Sequence, residues 1–228
     1  VEPVRDAVIV EMNQSVDFIA KITDLADKSN VSGANTEFIF DWGNTNTSMG
    51  FGVSDAEGNS TLQWTATGIN PGYYDVLVTV YDDLTDGLAV GNSRRTGNSS
   101  IVNLTVQVPS DIRLDSVPTV ATAGIDFNVL GQVLDADDPT RPLTSPVEMS
   151  AFWLSNPNEL LVSSYQTSPN GTFNMSVPTD TSGNGTLRGD RTLIITVIEG
   201  SSPFYLTATT QSGILIMGVS QFNNIQPL

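Results

Sequence analysis

The chain contains no cysteine and no histidine, and its nine lysines and arginines stand against 25 aspartates and glutamates. Without cysteine there is no disulfide framework, so hydrophobic cores must hold the fold together. The two absences also remove the thiol and imidazole groups on which most nucleophilic catalysis and zinc binding depend. The net charge of −16 repels other polyanions. Nucleic acid is therefore not expected as a partner.

Long apolar runs are also missing. No stretch of 18 apolar residues is present that could cross a membrane as a helix. The opening VEPVRD has neither a Met nor the charged-then-apolar pattern of a signal peptide. We therefore expect the chain to be a piece of a longer precursor, with signal and anchor elsewhere and residues 220–228 as a linker or tail.

Asn-X-Ser/Thr sequons are abundant. The chain has nine, where its residue frequencies would give about four by chance. We predict N-glycosylation, and hence an extracellular, cell-surface location, although a sequon only permits modification. The candidate acceptors are Asn13, Asn30, Asn46, Asn59, Asn98, Asn103, Asn170, Asn174 and Asn184.

The type of sequon bears on the source. Some bacterial systems also require an acidic residue two positions before the Asn, a condition that only Asn13 and Asn59 meet. An archaeal or eukaryotic system fits all nine sequons. Because small eukaryotic extracellular modules often carry disulfides, the lack of cysteine favours an archaeal cell envelope.

Hydrophobic periodicity is two almost throughout, which predicts an all-β fold. In VNLTVQV, the apolar residues from Val102 to Val108 alternate with polar ones, and NGTFNMSV shows the same pattern. A sequon places its Asn and hydroxyl residue two positions apart, hence on one face of a strand. In both segments that face is the polar one, so the acceptors are expected to point to solvent.

The chain repeats itself weakly. Glu37, Trp42, Asn59 and Thr61 recur 111 residues later as Glu148, Trp153, Asn170 and Thr172, and VLVTVYDD parallels LIITVIEG at an offset of 117. Such a repeat, with the extra residues in a Gly-rich loop, indicates two tandem copies of one framework. The sequence predicts domains at residues 1–109 and 110–219, each of the size of an Ig-like sandwich.

Two groups of motifs carry a resemblance to known modules. FDWGNT followed by INPGYYDVLVTVYDD resembles the PKD-type Ig-like module, although the usual second Asp-Gly is missing. PNGTFNMSVPTD with TLIITVIEG is similar to Ig-like repeats of large archaeal and bacterial surface proteins. The resemblance implies two tandem Ig-like β-sandwiches in a cell-surface or S-layer protein.

The aromatic residues are interpreted from the same pattern. In NPGYYD, Pro71 and Gly72 form a turn that leads into a strand with two apolar faces, which predicts a central strand. Trp42 and Trp153 are expected to pack between the sheets, with sugar stacking as the alternative. Trp64 alternates with polar residues and is also expected in the core.

Carboxylates are the only candidates for chemistry. They stand in turn-like settings, no nucleophile motif is present, and we predict that the chain is not an enzyme. In LDADDP, Asp135, Asp137 and Asp138 offer closely spaced oxygen ligands for a structural Ca²⁺. Acids of a solvated turn are the simpler interpretation of this group and of two others, namely Asp24 with Asp27, and Asp82, Asp83 and Asp86.

Three functional classes remain open. The favoured one is a structural module of an S-layer, filament or stalk, whose partners are neighbouring domains or subunits and covalent N-glycans. The second is an adhesion or carbohydrate-binding module, and the third an accessory domain of a secreted hydrolase. The segment DAVIVEM is a strand either of its own domain, the favoured interpretation, or donated to a neighbouring subunit.

Overall fold

The computed structural model describes residues 2–3, 7–81, 97–99, 101–179 and 188–218. These residues divide between two compact units, Val1–Gln107 and Val108–Leu228. The boundary predicted from the sequence lies two residues later. Asn184, Asp82, Asp83, Asp86 and the tail 220–228 lie outside the described residues.

The described part of the first unit contains nine strands. Three of them, β1, β3 and β6, form one antiparallel sheet, and the other sheet has the order β2-β9-β7-β4-β5, with β8 paired to β7. The strands are β1 (Glu2–Pro3), β2 (Ala7–Glu11), β3 (Ser15–Lys21), β4 (Asn35–Phe40), β5 (Thr47–Val53), β6 (Asn59–Thr65), β7 (Gly72–Tyr81), β8 (Gly97–Asn98) and β9 (Val102–Gln107).

Eight strands are described in the second unit. One sheet has the order β10-β12-β15 and the other the order β11-β17-β16-β13-β14. The strands are β10 (Ser110–Ser116), β11 (Val120–Thr122), β12 (Phe127–Asp135), β13 (Glu148–Trp153), β14 (Leu160–Gln166), β15 (Thr172–Val177), β16 (Gly189–Val197) and β17 (Thr209–Met217).

Both units have the strand order of an Ig-like sandwich. In each unit, the first, third and sixth strands in chain order form a three-stranded sheet. The second strand of each unit pairs in parallel with the last. A sandwich with short antiparallel sheets and crossing connections of this kind is the Ig-like architecture. The all-β prediction and the tandem Ig-like prediction are confirmed, and no helix occurs in the ranges that the structure describes.

The core of the first unit follows the predicted alternation. In β9, Val102, Leu104 and Val106 are buried while Asn103 is exposed. Strand β7 lies between β9 and β4, which confirms that it is a central strand. It buries Leu77 as well as Val76, although adjacent residues of a strand point to opposite faces.

A tyrosine at the start of β7 fixes the turn that precedes it. The Tyr74 hydroxyl donates a hydrogen bond to the backbone carbonyl of Asn70, with 2.7 Å between the oxygens. The Tyr74 ring lies 4.5 Å from that of Phe40, centroid to centroid. This is the tyrosine corner of Ig-like domains, in which the hydroxyl bonds back to the chain a few residues upstream.

Trp153 is in the core as predicted, and Trp42 is not. Trp153 is 1% exposed, whereas Trp42 is 38% exposed, so the prediction that both pack between the sheets is wrong for Trp42. The cause is the backbone of Asp41, whose φ of +54° ends the strand alternation one residue before Trp42.

The counterpart of Trp153 in the first unit is Phe40. Phe40 lies opposite Val76 in β7, and Trp153 lies opposite Leu193 in β16. Val76 and Leu193 are 117 residues apart, the offset of the matching β7 and β16 segments. The offset of 111 that equates Trp42 with Trp153 is therefore two residues out of register in this strand.

The segment DAVIVEM belongs to its own unit. Residues Ala7–Glu11 form β2, which pairs in parallel with β9 from Ala7↔Asn103 to Glu11↔Gln107. Val8, Val10 and Met12 are buried, while Ile9 on the opposite face is 66% exposed. The favoured interpretation of this segment, as a strand of its own domain, is confirmed.

Candidate glycan-bearing surface and acidic loop

The acceptor asparagines of eight of the nine sequons lie in the part of the chain that the structure describes, and they are largely exposed. Asn59 is half-buried at the start of β6. The exposed acceptors are Asn13, Asn30, Asn46, Asn98, Asn103, Asn170 and Asn174. Exposure satisfies the steric requirement for an N-linked glycan, while occupancy of each site stays a prediction.

Two of these acceptors stand on strands whose alternation turns them outward. Asn103 alternates with the buried residues of β9, and Asn174 lies between the buried Phe173 and Met175 of β15. The expectation that the polar face of these strands points to solvent is confirmed. The backbone N–H of Asn174 itself donates a hydrogen bond to the Tyr165 hydroxyl at 3.0 Å.

The acceptor Asn170 is held by its own sequon. Its side-chain oxygen Oδ1 accepts hydrogen bonds from the Thr172 hydroxyl at 3.0 Å, the Thr172 N–H at 3.3 Å and the Ser168 hydroxyl at 2.6 Å. Since every one of these bonds goes to Oδ1, they leave the amide nitrogen Nδ2, the atom that a glycan would take, out of this network.

The acceptor Asn46 belongs to a tight turn, residues 41–46, that we call the Trp42 loop. The carboxylate of Asp41 accepts from the Asn44 side-chain amide at 2.8 Å and from the Thr45 hydroxyl at 3.0 Å. Asn46 Oδ1 accepts from the N–H of Gly43 at 2.8 Å. The Trp42 N–H donates to the carbonyl of Asp75 at 2.9 Å, which ties the loop to β7.

Left-handed backbone at both ends shapes the Trp42 loop. Asp41 has φ +54° and Asn46 has φ +52°, and Asp and Asn are the non-glycine residues that tolerate this conformation best. The sequence signal for this turn is the run of Asp, Asn and Gly in DWGNTN. The expectation that Trp42 packs between the sheets does not hold once these residues form a turn.

Trp64 is an inward-facing residue of β6. Its ring lies 5.7 Å from that of Phe40 in a stacked arrangement and 6.2 Å from that of Phe18 in an edge arrangement. Trp64 is half-buried. It therefore packs on the core aromatics as expected, and Trp42 is the tryptophan that the fold leaves at the surface.

The acidic loop after β12 is organised around an ion pair between the buried Asp135 and the half-buried Arg141. Asp135 is 1% exposed, and its Oδ1 accepts from the N–H groups of Asp137 at 2.9 Å and Asp138 at 3.2 Å. Its Oδ2 lies 3.2 Å from Arg141 Nη1, and Arg141 Nη2 lies 3.7 Å from Asp138 Oδ2. Arg141 stands six residues after Asp135, outside the acidic run LDADDP that suggested calcium.

This geometry bears on the calcium prediction. Arg141 provides the positive charge between Asp135 and Asp138, and Asp137 is exposed. In the described residues, no three acidic side chains are grouped so that they could hold a metal ion. A structural Ca²⁺ at these acids stays a prediction, and the ion would have to displace Arg141 to bind Asp135 and Asp138 together.

The acids of the first unit form local turns. Asp24 Oδ1 accepts from the N–H of Ala26 at 2.7 Å, and Asp27 Oδ1 accepts from the N–H of Ser29 at 2.9 Å. The pKa of Asp27 is lowered from its usual range, first by the side chain and then by the backbone N–H of Ser29. Both acids serve as Asx-turn residues.

Hydrogen bonds from Thr140 lower the pKa of Asp138. The Thr140 hydroxyl, 2.6 Å from Asp138 Oδ1, is the largest cause, and the Thr140 N–H and the charge of Arg141 add to it. We expect Thr140→Ala to raise the pKa of Asp138 toward its ordinary value, because the carboxylate loses a hydrogen bond that favours its charged form. A carboxyl ¹³C NMR titration of Asp138 measures the change.

The matched control is Thr140→Ser, which keeps the hydroxyl and should keep the lowered pKa. Because the pKa of Asp138 is lower in the folded protein than in the unfolded chain, ionised Asp138 stabilises the fold. This contribution is fully present above the carboxyl pKa of the unfolded chain, about 3.9. That contribution is lost as the pH falls through the folded value. Equal titration curves for Thr140→Ala and the wild type would contradict the assigned role of the hydroxyl.

Among the described residues, no helix has the length and apolarity to cross a bilayer.

Comparison with known proteins gives structural likeness and no sequence family. No family model matches the chain, and no curated protein matches it. The fibronectin(III)-like modules of Clostridium thermocellum CbhA align over 98% of this chain and 97% of their own, at 12% identity and a TM-score of 0.38. The adhesin InvE of Yersinia pseudotuberculosis aligns over 94% of this chain and 57% of its own, at 15% identity and a TM-score of 0.40.

A three-Ig segment of titin is similar at the same level. It aligns over 96% of this chain and 65% of its own, at 12% identity and a TM-score of 0.46. The chain therefore spans less than two thirds of the InvE and titin structures. Likeness this distant carries no argument about function, and the Ig-like assignment rests on the strand order of each unit.

Proposed function

We propose that the chain is a non-enzymatic structural module of a glycosylated surface protein of the archaeal cell envelope, as part of an S-layer, filament or stalk. Its partners are then neighbouring domains or subunits of the same assembly and its own covalent N-glycans. The observation that carries the proposal is the exposure of seven sequon acceptors on two units that repeat one strand order.

Composition supports the same proposal. A net charge of −16 keeps such a surface soluble and repels anionic lipids and nucleic acids. Glycans on the outward faces of β9 and β15 leave the buried faces of those strands undisturbed, because side chains alternate along a strand. The two units can thus carry a dense glycan layer without any change in their cores.

Glycopeptide mass spectrometry on the native protein tests the proposal. We expect glycans on several of the seven exposed acceptors and the lowest occupancy at Asn59, because its side chain is half-buried. A control digest of protein produced in a host without glycosylation machinery gives the masses of the bare peptides. A native protein with every acceptor bare would contradict the proposal.

The exposure of Trp42 favours a second candidate, an adhesion or carbohydrate-binding module. A tryptophan that is 38% exposed on a hydrogen-bonded loop can stack on a sugar ring. In this second candidate, the sugar that stacks on Trp42 belongs to an external glycan. In the structural-module candidate, the sugars are covalently attached to this chain.

A further inference from the structure

The Trp42 loop places an exposed indole and a glycan acceptor in one turn. Trp42 and Asn46 are four residues apart in a loop fixed by Asp41, which accepts from the side chains of Asn44 and Thr45. An indole that the protein leaves 38% exposed has apolar surface available to a further partner. The same loop thus holds a covalent attachment point and an uncovered aromatic ring.

Hydrogen bonding holds the acceptor against the backbone that follows the tryptophan. Asn46 Oδ1 accepts from the N–H of Gly43 at 2.8 Å, so the carboxamide of Asn46 lies against the peptide bond that joins Trp42 to Gly43. The atom that carries an N-linked glycan is Nδ2, which is bonded to the same carbon as Oδ1. A sugar on Nδ2 therefore begins beside the backbone of Trp42.

From this geometry we propose that the first sugar of a glycan on Asn46 packs against the Trp42 indole and stabilises the first unit. A pyranose ring presents C–H groups on one face, and these are attracted to the electron-rich face of an indole while both lose contact with water. The loop is already ordered by its own hydrogen bonds, so little conformational entropy is lost when the sugar docks. This inference rests on the proposed glycosylation of the chain.

The test uses Ser48, the hydroxyl residue of this sequon. Ser48→Ala abolishes the glycan but keeps Asn46 and its hydrogen bond to Gly43. The effect of losing the glycan is thus separated from the effect of losing the Asn46 side chain. The full chain is produced in a glycosylating host as wild type, Ser48→Ala, Trp42→Ala and the double variant, and the melting temperature of the first unit is measured for each.

We expect Ser48→Ala to lower that melting temperature by about 4–8 °C in the wild-type background and by less than about 1 °C in the Trp42→Ala background. Ser176→Ala, which removes the Asn174 sequon from the second unit, is the matched control and should have the same effect with and without Trp42. Trp42→Phe keeps an aromatic face and should retain part of the dependence on Ser48.

A second readout does not depend on melting. In the folded wild type, hydroxyl-radical oxidation of Trp42 should be several-fold slower than in folded Ser48→Ala, because the sugar covers the ring. Equal oxidation rates, or an effect of Ser48→Ala that persists in the Trp42→Ala background, would overturn the inference.

Glycopeptide analysis of the native protein separates this inference from the function on which it rests. Glycans on other acceptors with Asn46 bare would overturn the Trp42 inference alone. Bare acceptors throughout the chain would overturn both.

Discussion

Trp153→Ala is expected to destabilise the second unit by about 3–5 kcal/mol, the usual cost of removing a fully buried tryptophan. The side chain is 1% exposed, and its ring lies 6.4 Å from that of Phe127, centroid to centroid. Its removal leaves a cavity between the sheets that β13 and β16 can fill only in part. Urea unfolding of unglycosylated protein, fitted with one transition for each unit, measures the loss.

Trp42→Ala is the matched control for this substitution. The same change at a residue that is 38% exposed removes little buried surface, and we expect a loss of less than about 1 kcal/mol in the first unit. Unglycosylated protein is required, so that no sugar adds to the effect. Similar losses for the two variants would contradict the assignment of Trp153 to the core and of Trp42 to the surface.

Gly171→Ala should be the second strongly destabilising change, at about 2–4 kcal/mol. Gly171 has φ +83°, where a side chain is strained, and an added Cβ would lie 2.3 Å from the carbonyl oxygen of Val133. That carbon would also meet the Leu143 side chain at 3.0 Å. The loop that joins β14 to β15 must therefore shift. Urea unfolding of the second unit reports the cost.

Gly200→Ala separates the two contributions. Gly200 has φ +72°, but an added Cβ would meet nothing within 4 Å, so only the backbone strain remains. We expect a cost of about 1 kcal/mol for this variant. If Gly171→Ala were no more destabilising than Gly200→Ala, the close approach of Val133 and Leu143 to Gly171 would not be present in solution.

Strand periodicity made most of the fold predictable. The alternation in VNLTVQV and NGTFNMSV indicated strands with one apolar and one polar face. The turn in NPGYYDV led into a strand with two apolar faces, and the structure places that strand, β7, at the centre of its sheet. A periodicity of two cannot, however, reveal a register error of two residues, because residues two apart share a strand face. The buried counterpart of Trp153 is Phe40, and equating Trp42 with Trp153 keeps the correct face and selects the wrong residue.

The candidate site was predictable only where it lies on strands. Alternation along β9 and β15 was enough to turn Asn103 and Asn174 outward. In loops, side-chain direction depends on local backbone angles and on partners that alternation along the sequence does not reveal. The left-handed Asp41 exposes Trp42, and Arg141 organises the acids around Asp135.

The parallel pairing of the second strand of each unit with its last strand determines how each unit resists a pulling force. When the two ends of a unit are pulled apart, parallel strands are drawn past each other along their length, so their hydrogen bonds are sheared together and do not open one at a time. Five residue pairs, from Ala7↔Asn103 to Glu11↔Gln107, share that force in the first unit. Three pairs, from Val120↔Leu215 to Thr122↔Met217, share it in the second, so at this contact the second unit is the weaker under tension.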